Sequence, residues 1–102
     1  MENYEQLSPQ PEVLIVDDEE RFAECLKRIR VGMKSKQVWL SEAIGCSDAA
    51  ISLWETGSRI PTAQSLGRLL AALAQEGTPT SELLKLRRVW LNDLRRRATR
   101  RG

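Results

Sequence analysis

The chain has 102 residues and a net charge of +2, a size that suits one small domain with short extensions. Its 41% hydrophobic and 29% charged residues are ordinary for a soluble globular chain, and with only 5% aromatics the core must come chiefly from Leu, Ile, Val and Ala, a helical palette. No apolar run approaches the roughly 18 residues that span a bilayer, the opening MENYEQ has no basic region or apolar signal core, and the absence of histidine beside Cys25 and Cys46 excludes the usual zinc patterns; we expect a cytoplasmic protein, nucleoid-associated if it binds DNA, with two buried thiols and no membrane partner.

Residues 1–12 carry two prolines and many polar side chains and read as a flexible arm, which residues 13–16 (VLIV) extend as a short strand-like segment. From Asp18 the pattern turns helical. Acidic residues crowd its start, where the helix dipole favours them, and Phe22, Leu26, Ile29 and Met33 recur at helical spacing up to Gly32. Ser35 is the expected N-cap of a second helix, whose apolar residues are Val38, Trp39, Leu40, Ala43 and Ile44. It stops at Gly45, a residue able to take positive φ. Ser47 caps a third helix with Ala50, Ile51 and Trp54 inward, ended by Gly57. Pro61 and Thr62 start a fourth, with Leu66, Leu69, Leu70 and Leu73 on one face and Gly77 as its stop. Thr78-Pro79 opens a fifth, with Pro79 at the first helical position, where no N–H is missed. Five helices without a repeat make an all-α domain. We divide the chain into an arm (1–16), a helical domain (17–77), and a C-terminal basic amphipathic helix and tail (78–102).

Charge is polarised along this order. Residues 1–24 hold eight of the fourteen acids and one base, Arg21. Residues 85–102 hold eight of the sixteen bases and one acid, Asp93. A basic tail on so short a chain points to a polyanionic partner.

Two short helices joined by Gly45-Cys46-Ser47 have the helix-turn-helix arrangement. Ser41 and Ala43 provide small side chains where the helices approach, Gly45 the turn, and Ile51 an inward apolar contact. The stretch QVWLSEAIGCSDAAISLWETGSRIP resembles the Cro/repressor (XRE-type) helix-turn-helix family, a likeness that runs from residue 22 to about 76. It is carried by Gln37, the Leu40-Ser41 pair, Gly45, the Ile51-Ser52 pair and the ending W-E-x-G-x-R-x-P at 54–61, with Arg30 late in the first helix. The resemblance implies a lambda-repressor-like five-helix fold and a set of roles. Gln37, with Lys36 beside it, would grip a phosphate at a helix N-terminus. Ser47, Asp48, Ala49, Ser52 and Leu53 would face the major groove, and Ser58 and Arg59 would form a second phosphate clamp. Trp54 would be structural, and Glu55 would orient the loop or pair with a nearby base.

The recognition helix lacks the strong readers of bases, Arg for guanine and Asn or Gln for adenine. Asp48 can accept from cytosine N4, and Ala49 and Leu53 can touch only thymine methyls. Readout should be weak or come from elsewhere, such as Arg95, Arg96 and Arg97 in the tail RRRATRR, entering a minor groove or lying along phosphates. Leu83, Leu86, Trp90 and Leu94 form a stripe on the fifth helix. A four-helix core should be complete without it, so we expect this stripe to join two copies, which suits a two-fold DNA site.

Residues 13–22, VLIVDDEERF, also resemble the first strand of a two-component receiver, where paired acids hold Mg²⁺. That reading fails. Asp48 lies in GCSDAAIS and Asp93 in a basic helix, so no phosphoacceptor ends an apolar strand. Lys85 ends no strand either. Without histidine, a nucleophile–base pair, a metal set or a glycine-rich phosphate loop, enzymatic activity and a cofactor are not expected. The expected function is that of a dimeric, sequence-specific regulator of transcription, a repressor, with double-stranded DNA as partner. The alternative is a protein-interaction module, such as an antitoxin, with weak or secondary DNA binding.

Overall fold

Capping chemistry cuts the chain into helices close to the expected places. The computed structural model describes residues 20–34 and 36–101 and contains α1 (Phe22–Gly32), α2 (Gln37–Ile44), α3 (Asp48–Thr56), α4 (Ala63–Gln75) and α5 (Thr80–Arg101). No strand occurs among the described residues. Ser47 accepts the Ala50 N–H at 3.1 Å to cap α3, and Thr62 accepts the Ser65 N–H at 3.1 Å to cap α4. Gly45 (φ +74°) and Gly57 (φ +85°) turn the chain out of α2 and α3 through the left-handed region, where a side chain is strained.

Three helix starts differ from expectation. Helix α1 begins at Phe22, not at Asp18, because its first donors are met from elsewhere. The Arg21 N–H donates to Glu24 Oε1 at 3.2 Å, and the Phe22 N–H donates to Asp93 Oδ2 at 2.9 Å across 71 residues. The N-cap of α2 is Lys36, which has no acceptor to offer, and not Ser35. Pro79 stands one residue ahead of α5, where its carbonyl accepts the N–H groups of Glu82 and Leu83. The reading made of the arm, residues 1–16, falls outside the described residues, as do Asp17, Asp18, Glu19 and Ser35 themselves.

Helix α1 packs against α3 and α5, α2 against α3 and α4, and α4 against α5. One core joins all five: Phe22, Leu26, Leu40, Ile51, Leu69, Leu73, Leu86 and Val89 are completely buried. The expectation that four helices complete the core is therefore corrected. Leu86 and Val89 have no exposed surface, and Trp90 is buried with its indole N–H donating to the Pro61 carbonyl at 2.8 Å. A buried indole needs such a partner, and the bond locks α5 to the start of α4. Of the stripe expected to join two copies, Leu86 and Trp90 belong to the monomer's core and Leu83 is half-buried against it. Only Leu94 remains exposed, at 42%.

Cys25 is buried, as expected, and burial pushes its thiol up to about 11. Cys46 is only half-buried, because it sits at the turn between α2 and α3. No helix among the described residues is long and apolar enough to cross a membrane.

Candidate nucleic-acid interface

The two helices of the motif are fixed from inside by Leu40, Ile44, Ile51 and Trp54, all buried. Between them the backbone folds back at Ser41, whose carbonyl accepts the Gly45 N–H at 2.9 Å and the Cys46 N–H at 3.0 Å. A side chain as small as serine fits there and brings a hydroxyl. That hydroxyl lies 2.9 Å from the Val38 carbonyl and hydrogen-bonds the Asp48 carboxylate. Asp48, at the first position of α3, is thus tied to α2.

A second tie comes from α1. Arg30 meets Glu55 in a two-pronged pair, Nε to Oε2 at 2.6 Å and Nη2 to Oε1 at 2.9 Å. Gln37 Nε2 donates to the same Oε1 at 3.0 Å. The side chains of Arg30 and Glu55 are 13% and 3% exposed, so this pair works away from water. The hydrogen bond to Glu55 also raises the pKa of Arg30 above its ordinary value. Glu55 therefore pairs with a nearby base and joins the end of α1, the start of α2 and the last turn of α3. Trp54 is an inner residue, as the resemblance implied.

These ties decide what the outer surface can do. Ser47, Asp48, Ala49 and Ser52 are exposed on one side of α3, and Leu53 is half-buried. Ser47 already accepts a backbone N–H, and Asp48 already accepts from Ser41. Their side chains shape the motif first. At the start of α2, Gln37 spends one amide hydrogen on Glu55, and its second can still reach outward. Lys36 is exposed beside it, and no side chain caps the helix, which leaves backbone donors at the same spot.

In the loop after α3, the Ser58 and Arg59 N–H groups donate to the Leu53 carbonyl at 3.0 and 3.2 Å. Both side chains are exposed. Arg97 comes to this loop from the far end of α5 and donates to the Gly57 carbonyl at 2.9 Å. Arg96 is held by Asp93 at 2.6 Å, and Arg95 is exposed. Arg96 and Arg97 are thus drawn to Asp93 and to the loop after α3. Helix α5 runs to Arg101, so Arg95, Arg96 and Arg97 all stand on a helix.

Sequence reading missed Arg21 and Asp93 as partners in this region. The signal for Asp93 was present, a lone carboxylate in a basic helix, but its partner lies 71 residues away.

The helix-turn-helix family HTH_3 matches residues 26–76 of the chain. Neither the curated proteins nor the solved structures contain a match. The matched stretch begins at Leu26 and ends at Glu76, so it covers the Arg30–Glu55–Gln37 ties, the Gly45 turn and the loop at Ser58 and Arg59. This chain belongs to the XRE-type helix-turn-helix family, and it is a DNA-binding regulator of that kind.

Proposed function

We propose that the protein is a dimeric repressor that lays α3 in the major groove and holds the flanking phosphates from both sides. The observation that carries this reading is the placement of donors around α3. The uncapped start of α2, with Lys36 and Gln37, is tied to the last turn of α3 through Glu55, and the loop with exposed Ser58 and Arg59 follows that turn. Helix N-termini and exposed cations suit phosphate oxygens. Ala49, Ser52 and Leu53 then face base edges, with Ser47 and Asp48 at the rim. Sequence discrimination is modest on this surface, because no Arg, Asn or Gln projects from it.

Dimerisation runs through the outer side of α5. Leu84, Leu94 and Ala98 are exposed along α5, and Leu91, in the seven-residue register of Leu84 and Ala98, is half-buried at their border with the core. Leu84 is 60% exposed and Leu94 42%. Leu94 is the residue of the expected stripe that serves this role.

Electrophoretic shifts with genomic fragments at several salt concentrations test the reading. Retardation at low salt that weakens steeply as salt rises is expected. No retardation at low salt refutes it. A second reading, a module that binds another protein, is favoured by the groove of about 440 Å³ over exposed Val38 and half-buried Trp39. Co-purification with the product of a neighbouring gene, in an association that Val38→Asp abolishes, is the outcome that supports it.

A further inference from the structure

Asp93 joins the start of α1 to the end of α5. Its Oδ2 accepts the Phe22 N–H at 2.9 Å, its Oδ1 accepts Arg96 Nη1 at 2.6 Å, and Arg21 Nη1 lies 3.8 Å from the same Oδ1. One turn further along α5, Arg97 reaches the Gly57 carbonyl. Between these contacts lies a cleft of about 420 Å³, bounded by the start of α1, the loop after α3 and the end of α5. Trp54 and Ile60 form its apolar wall, and Ser58 its edge toward the loop.

The charges do not balance inside it. Among the described residues, three guanidinium groups, those of Arg21, Arg96 and Arg97, line the cleft against one carboxylate. That leaves two positive charges in excess. Asp93 is already met by Arg96 and a helix N–H, so its own neutralisation requires neither of the others. The Arg21 side chain is half exposed. Arg97 spends one of its five donors on Gly57 and keeps its guanidinium fixed by that bond. Planar forks fixed in this way match an anion with several acceptor oxygens.

We infer that this cleft seats one phosphate, held jointly by Arg21 and Arg97 with the Ser58 hydroxyl at its edge. The source is the DNA backbone, because Ser58 belongs both to the cleft and to the loop proposed to clamp phosphate. This inference rests on the DNA-binding reading above and extends its footprint beyond the helix-turn-helix motif, to a residue ahead of α1. A free phosphate has the same chemistry, and the test separates the two sources.

The full chain is compared with Arg21→Gln, Arg97→Gln and the double variant, leaving Asp93 and Arg96 in place. Affinity for a short duplex is measured over a series of salt concentrations, with circular dichroism and thermal melting to confirm folding. One shared phosphate makes the slope of log affinity against log salt shallower by about 0.9 in each single variant. It predicts the same loss in the double variant, and a retained slope in Arg97→Lys. An unchanged slope in all variants, or an additive loss of about 1.8 in the double, overturns the shared seat. In a second arm, inorganic phosphate replaces chloride at constant ionic strength, and its binding is followed by calorimetry. The expected result is no phosphate uptake that depends on Arg21 and Arg97. Uptake abolished in both variants, with an unchanged salt slope, assigns the cleft to free phosphate and overturns the DNA source. A wild-type chain that binds no duplex at low salt refutes the functional reading itself, a result distinct from either of these.

Discussion

Glu55 accepts three hydrogen bonds from residues of two other helices, and its side chain is almost fully buried. Removing one member of such a pair strands the other charge, which costs more than the pair contributes. Glu55→Ala should lower stability by about 3 kcal/mol, measured by urea unfolding. It should also loosen Gln37, so DNA affinity should fall even where the protein stays folded. A small effect on both measurements would show that the pair is dispensable. Glu20 offers a contrast at the surface. It meets Arg28 at 3.0 Å and Lys85 at 3.1 Å, and the hydrogen bond from Arg28 holds its carboxyl below the ordinary 4.5. A depressed carboxylate contributes stability that is full above its unfolded value and is lost as pH falls through the folded one. Acid unfolding of Glu20→Gln should therefore show a flatter decline below about pH 4.5 than the parent chain. An identical decline would remove Glu20 from the acid response. The thiols differ too. Cys25, buried and raised to about 11, should resist alkylation at neutral pH until the domain unfolds. Half-buried Cys46 should react first, and mass spectrometry of the labelled peptides distinguishes them.

At the scale of elements, α5 has two faces with different tasks. Its inner face carries Leu86, Val89 and Trp90 into the core, with Leu91 half-buried beside them, and its outer face carries Leu84 and Leu94. Leu86→Ala should cost about 3 kcal/mol, the usual range for a buried leucine. Leu94→Ala should change monomer stability by no more than about 0.5 kcal/mol. Paired denaturation curves check both values, and equal losses would mean that the two faces are not distinct. The helix-turn-helix pair was legible in the sequence because its signals are local. Gly45 and Gly57 sit where left-handed backbone is needed, and Ser47 and Thr62 sit three residues before the N–H groups they accept. The start of α1 was not legible. Its donors are met by Glu24 nearby and by Asp93 from the other end of the chain, and no local pattern marks that second partner.

For the whole molecule, the outer side of α5 bears on assembly. If the proposed dimer forms there, Leu84→Glu combined with Leu94→Glu should give a folded monomer by analytical ultracentrifugation, with weaker binding to a two-fold site than the parent chain. A dimer that survives both changes would place the interface elsewhere. The acidic head and basic tail, so distinct along the sequence, are partly joined in space. Glu20 bridges α1 to Lys85, Arg28 bridges it to Glu82 at 2.9 Å, and Asp93 caps α1. By itself the sequence determined the all-α class, the position of the turn at Gly45, the cap at Ser47 and the family, since each depends on local residue patterns. Only the tertiary structure decided that α5 completes the core, that Glu55 binds Arg30 and Gln37 together, and that Arg97 arrives at the loop after α3. Those contacts join residues 18 to 40 positions apart, and the packing of helices in three dimensions, which no local periodicity encodes, brings them together.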